Sequence, residues 1–146
     1  MTTLVVDASV VIKWVIEETG TQDALALRRH RLLAPDLLIP ECANILWKKV
    51  RRHELTGDEA RLAARLIERA DIDFVPSRRL LEAATNLALL LDHPAYDCLY
   101  LALARSSGCR FVTADAKFSA LVRDRLPDHQ LIELGAQVGG IADFPP

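Results

Sequence analysis

Five short apolar runs alternate with stretches of helical spacing along this chain, and no Asn-Gly or similar hairpin dipeptide joins any two of them. The runs are TLVVDA from Thr3, LLAPDLLIP from Leu32, DFVPS from Asp73, CRFVTA from Cys109 and HQLIEL from His129. Antiparallel neighbours can be linked by two residues, whereas parallel neighbours need a crossover of a dozen or more, usually helical. The stretches between these runs are long enough for one or two helices each. The pattern therefore predicts an α/β sandwich built on a mostly parallel sheet of about five strands flanked by helices. The chain is read as one domain over residues 1–146, with GGIADFPP as a loose tail.

The helical stretches carry their own punctuation. SVVIKWVIEE and TQDALALRRHRLL are separated by Gly20, and Pro40 is expected at the first helical position ahead of ECANILWKKVRR. Thr56 and Glu59 form a capping-box pattern at the head of TGDEARLAARLIERA. RRLLEAATNLALLL and DAKFSALVRDR are also helical. AYDCLYLALARSS is apolar on all sides, which predicts a buried helix, and Gly108 is placed to end it.

Of the 146 residues 51% are hydrophobic, so a substantial core is available and global disorder is excluded. The formal charge of -2 gives no overall attraction to nucleic acid or to an anionic membrane. Polyanion binding then needs a local basic patch or a bound cation. Cys42, Cys98 and Cys109 form no CxxC pair and read as reduced, buried thiols. The histidines make no HExxH, which argues against zinc. No basic leader precedes an apolar segment, and no apolar run reaches the ~18–20 residues that span a bilayer, so a cytoplasmic protein without membrane partners is expected.

Carboxylates stand at the edges of these apolar elements. Asp7 ends the first strand, Glu41 opens the helix after the second, and Asp115 follows the fourth. In a parallel sheet the carboxyl ends of strands and the amino ends of the following helices share one edge, where ligands bind. Asp97 lies in the first turn of its helix, but no strand immediately precedes it, so pattern alone does not bring it to that edge. Each acid taken singly is also a good helix cap or dipole partner. Capping does not require convergence, and convergence has a consequence. Two carboxylates at ~4 Å repel by ~4 kcal/mol at an effective dielectric near 20. A group of them must take up protons or a cation. Oxygen ligands without His or Cys favour Mg²⁺ or Mn²⁺, ions that activate water and clamp phosphodiester oxygens.

Arg61, Arg65 and Arg69 form a helical stripe, WKKVRR supplies Lys48, Lys49, Arg51 and Arg52, and LRRHR supplies Arg28, Arg29 and Arg31. Each group reads either as a phosphate contact or as a solvated face paired with acids such as Glu59 and Glu68. Trp14 and Trp47 read as core or interface.

VVDASV, PECANIL, YDCLYLALA and FVTAD, in that order across nearly the whole chain, resemble the PIN-domain family, and in particular its small VapC toxins of toxin–antitoxin pairs. The resemblance implies a PIN-like three-layer fold and an acidic quartet of Asp7, Glu41, Asp97 and Asp115 around Mg²⁺ or Mn²⁺. It brings Asp97 into the crevice, and it assigns Ser9, Thr113 and Asn44 to the shell around the acids. It further implies a metal-dependent endoribonuclease with an RNA substrate, a cognate antitoxin that inhibits it, and a homodimer. Cys98 stands where a small residue such as Ala is common. Other readings are a PIN-fold nuclease of RNA or DNA processing or repair, a non-catalytic binding domain of the same fold, and a receiver-type phosphoacceptor. The last lacks the acceptor Asp after DFVPS and the Lys after HQLIEL.

Overall fold

The computed structural model describes residues 2–128 and 130–134, and the tail GGIADFPP lies outside them. Five strands form one sheet: β1 (Thr3–Val6), β2 (Arg31–Pro35), β3 (Asp73–Val75), β4 (Arg110–Thr113) and β5 (Leu131–Glu133). Their order is β3-β2-β1-β4-β5 and all four pairings are parallel. Each strand spans only three to five residues. Of the three inner strands, β1 and β4 bury Leu4, Val5, Val6, Phe111 and Val112 completely. Such continuous apolar runs suit strands covered on both faces.

The helices are α1 (Ala8–Val15), α2 (Thr21–Ala26), α3 (Leu38–Arg51), α4 (Gly57–Glu68), α5 (Leu81–Leu91), α6 (Ala95–Ser107) and α7 (Ala116–Arg125), with 3-10 turns at Leu27–Arg29 and Ser77–Leu80. Right-handed crossovers dictate their placement. The path β1→β2→β3 moves one way across the sheet, and β3→β4→β5 moves back past β1 and on to the other side. α1 to α4 therefore cover one face, and α5 to α7 cover the other. The contacts agree: α1 packs with α2, α3 and α4, while α5 packs with α6 and α7.

Several expected boundaries shift. The stretch TQDALALRRHRLL is helical only to Ala26, then tightens into the 3-10 turn and enters β2 at Arg31. The β-branched-poor LRRH segment cannot extend the helix without exposing Leu32 and Leu33, which the sheet buries. α1 stops at Val15, short of Glu17 and Glu18. α3 begins at Leu38, so Pro40 is its third helical residue rather than its first. Proline is tolerated there because the first turn's N–H groups have no intrahelical acceptors. The Thr56–Glu59 capping box forms reciprocally, with bonds of 3.1 and 2.9 Å.

α6 is the core helix. Cys98 and Tyr100 to Ala104 are all buried, and the helix lies on β1, β2 and β4 under α5. Tyr100 stacks on Phe111 of β4 at 5.6 Å between ring centroids. Gly108 closes the helix at φ +64°, a left-handed conformation that favours glycine, and two residues later the chain is in β4. Among the described residues no single helix is long and apolar enough to cross a membrane; the apolar α5–α6 pair is bent by 117°.

Candidate active site

The chain reverses direction across the sheet between β1 and β4, and this switch point opens a crevice at the carboxyl edge. The register pairs Val6 with Val112, so the next residues, Asp7 and Thr113, leave the sheet side by side. Asp7 is 6% exposed. Ser9 Oγ donates to its Oδ1 at 2.5 Å, Thr113 Oγ1 donates to its Oδ2 at 2.6 Å, and the Val10 N–H reaches Oδ1 at 3.3 Å. Asp7 thus caps α1 and faces the crevice at once, so the two readings of it are compatible.

The two hydroxyls are themselves held. Ser9 Oγ accepts from the Ala114 N–H at 3.0 Å, and Thr113 Oγ1 accepts from the Asp115 N–H at 3.1 Å. Each hydroxyl has one proton, and both protons point at Asp7. The β4–α7 turn is therefore tied through two side chains to the end of β1. Asp115 caps α7, its Oδ1 accepting from the Phe118 N–H at 3.0 Å.

Glu41 is in the first turn of α3 and half-buried. Tyr100 Oη donates to its Oε1 at 2.5 Å. Asp97, in the first turn of α6, meets the His93 ring at 2.9 Å, Nε2 to Oδ2. His93 in turn packs on Phe118 at 4.9 Å between ring centroids. Asn44 sits on the exposed side of α3 and has no hydrogen bond among the described residues; its position three residues after Glu41 turns it away from the buried stripe of Leu38, Cys42 and Leu46.

Burial and like charge act on these acids together. Burial pushes the Asp7 carboxyl up to about 7, against the lowering by Ser9, Thr113 and Val10, and the Asp97 charge adds to the rise. Burial also raises Glu41; the Tyr100 hydroxyl opposes this and Asp97 reinforces it. Asp97 therefore stands electrostatically within the group that Asp7 and Glu41 define. Cys42 and Cys98 are driven up to about 12 and about 11 by burial first and then by the neighbouring carboxylates, so both are inert thiols.

His93 and Tyr100 are the site residues that sequence reasoning missed. Tyr100 lies three residues after Asp97, on the same helical face. His93 precedes the helix, so helical spacing gave no reason to count it. The position of Asp97, by contrast, had a usable signal. α6 ends two residues before β4 begins, so its far end, about 20 Å away, must stand at the carboxyl edge.

The donor set suits a hard divalent cation: carboxylate oxygens, no sulfur, and one buried acid whose raised pKa a positive charge would relieve. Among the described residues no three His, Cys, Asp or Glu side chains stand close enough to share an ion. Each acid is instead engaged by a partner of its own: Asp7 by Ser9 and Thr113, Glu41 by Tyr100, Asp97 by His93, Asp115 by its helix. The chemistry of the set fits a cation, and the partners named are the groups that would orient its ligands.

Comparison with known proteins points one way. The family model described as the PIN domain matches residues 4–124. The chain is 39% identical over 130 residues to Ribonuclease VapC3 of Pyrobaculum aerophilum, covering 82% of this chain and 97% of the relative. Among solved structures, PAE2754 from Pyrobaculum aerophilum superposes with a TM-score of 0.64 at 22% identity, over 91% of this chain and 90% of that one. VapBC2 from Rickettsia felis, bound to a DNA fragment from its promoter, superposes with a TM-score of 0.63 at 12% identity, over 90% and 98%.

Proposed function

The chain belongs to the PIN-domain family, alongside its VapC ribonucleases, and on that premise we propose that it is a toxin ribonuclease that hydrolyses RNA phosphodiesters at the crevice of Asp7, Glu41, Asp97 and Asp115 with Mg²⁺ or Mn²⁺. The observation that carries this reading is the buried Asp7, held by two hydroxyls and raised to about 7 beside two further acids. A buried carboxyl beside two further acids is costly when charged, and a bound cation would relieve that cost.

A bound divalent ion would supply charge to the scissile phosphate and lower the pKa of the attacking water. The chain's own residues do the rest. Asp7, Asp97 and Asp115 would hold the ion directly or through water. Glu41, fixed by Tyr100, would complete the set or orient the water. Ser9 and Thr113 fix the Asp7 carboxylate, and His93 fixes that of Asp97, in the manner by which outer partners orient metal ligands. In-line attack at phosphorus leaves a 5′-phosphate and a 3′-hydroxyl.

The partners follow from the family. A cognate antitoxin would bind and inhibit the chain, as the paired naming of VapBC2 suggests, and the toxin would act in the cytoplasm as a homodimer of one nuclease domain per chain. The test is incubation of total cellular RNA with the antitoxin-free protein in Mg²⁺, Mn²⁺ or chelator. Discrete fragments with 5′-phosphate ends, formed only with metal, are expected. Cleavage that persists in chelator would refute the metal-site reading.

A further inference from the structure

An acidic crevice repels the polyanion it is proposed to cut, so cations must hold the strand on either side of it. Two of the basic groups that the sequence singles out, LRRHR and WKKVRR, are poorly placed to do so, and the topology shows why. In a parallel sheet, whatever immediately precedes a strand lies at the amino edge, opposite the crevice. Arg28 and Arg29 immediately precede β2. Lys48 to Arg52 end α3, whose axis carries Lys48 about 10 Å beyond Glu41. Several cations of the three groups are also engaged: Arg31 with Asp73, Arg61 with Asp58, Lys49 with Glu18, Arg28 over Trp14 and Arg51 over Trp47.

A different pair sits at the carboxyl edge. Arg78 and Arg79 lie in the 3-10 turn that leaves the end of β3. Both are exposed, and neither makes an ion pair among the described residues. Their turn is anchored. Asp36 accepts from the Ser77 N–H at 3.0 Å and from its hydroxyl at 2.5 Å, and the Asp36 N–H donates to the Val75 carbonyl at 3.0 Å. Asp36 begins the turn that leads into α3 and Glu41, and the 3-10 turn packs against α6, which carries Asp97. The two arginines thus ride on the same backbone that sets two of the acids. β3 lies two strand spacings from β1, about 9.6 Å. On the other side Lys117, exposed and without an ion pair among the described residues, stands two residues after Asp115.

We propose that Arg78 and Arg79 on the β3 side and Lys117 on the β4 side bind the phosphates of a single-stranded RNA that crosses the carboxyl edge over the acidic crevice. The inference rests on the RNA-cleaving reading and names where that substrate is held.

The test is fluorescence anisotropy with a fluorescein-labelled 12-nucleotide RNA in Ca²⁺, the strand being checked intact on a gel, over a range of salt concentrations. The chains compared are wild type, Arg78→Gln/Arg79→Gln, Lys117→Gln and, as a control at the far end of α3, Lys48→Gln/Arg52→Gln. Loss of two phosphate contacts should weaken binding and flatten the slope of log K against log salt by about 1.4, and loss of Lys117 by about 0.7. Lys48→Gln/Arg52→Gln should match wild type. The proposal is overturned if wild type does not bind RNA, if the Arg78/Arg79 variant keeps the wild-type slope, or if the Lys48/Arg52 variant loses as much. Cleavage of the same RNA by wild type in Mn²⁺ scores the functional reading separately, because binding is measured without it.

Discussion

Asp7→Asn should stabilise this protein in the absence of metal, and only at neutral to alkaline pH. The folded chain raises the Asp7 carboxyl from 3.8 to about 7, principally by burial. A shift of about 3 units corresponds to roughly 4 kcal/mol of preference for the protonated form. The folded state therefore binds a proton that the unfolded state releases, and stability falls as pH rises from about 4 to about 7. Above that range the full cost is present; at pH 5 only about 1.6 kcal/mol of it is, from 1.2 units at 1.36 kcal/mol each. Asn carries no charge and escapes the cost. Its amide nitrogen, however, meets the Thr113 hydroxyl, which now donates to Asp7, and a lost hydrogen bond costs about 1–2 kcal/mol. The net gain at pH 8 is then about 2–3 kcal/mol, or on the order of 4–12 °C in Tm for a chain of this size. Between pH 8 and pH 5 the variant's advantage should shrink by roughly 2.5 kcal/mol. Urea melts of both chains in chelator at pH 5, 6, 7 and 8 measure this directly. A gap that does not change with pH, or a wild type that is the more stable at pH 8, would refute the reasoning. Millimolar Mg²⁺ should reverse the order, because an ion that binds only the folded wild type stabilises it by mass action.

Tyr100→Phe keeps the stack on Phe111 and removes only the donor to Glu41. It should fold normally and lose about 10–100-fold in metal affinity or activity, as outer partners of metal ligands do; a Mn²⁺ titration of RNA cleavage checks this, and an unchanged curve would remove Tyr100 from the site. Thr56→Ala breaks the α4 capping box, far from the crevice, and should cost about 1 kcal/mol in denaturant melts with cleavage intact. Thiol labelling of the native chain at pH 8 should modify Cys109 first, since Cys42 and Cys98 are buried and their thiols are raised to about 12 and about 11.

The architecture was legible because its signals are local. Short apolar runs, long separations and the lack of hairpin turns leave few topologies beyond a parallel sheet, and the observed sheet is wholly parallel. Asp7, Glu41 and Asp115 could be assigned to one edge because Asp7 and Asp115 closely follow strands and Glu41 opens the helix after one. Asp97, whose helix α5 rather than a strand precedes, was placed by the resemblance, although the short link from α6 to β4 also carried its position. What stayed hidden depends on tertiary contact. His93 reaches Asp97 from outside the helix, across a turn in which Asp92 takes a left-handed conformation at φ +50°. The Tyr100–Glu41 bond joins residues 59 apart in sequence. Pairings between elements have no period to betray them. Basic clusters mislead for the same reason: the sequence shows which arginines are neighbours, but only the strand order shows which edge they occupy.

The most direct test of the central claim compares wild type with Asp97→Asn in a single assay, cleavage of total cellular RNA in Mn²⁺, alongside circular dichroism and calorimetric Mn²⁺ binding. The account predicts metal-dependent fragments from wild type, a fall of orders of magnitude in the variant, weakened Mn²⁺ binding and an unchanged fold. A folded Asp97→Asn chain that cleaves as wild type does would contradict it.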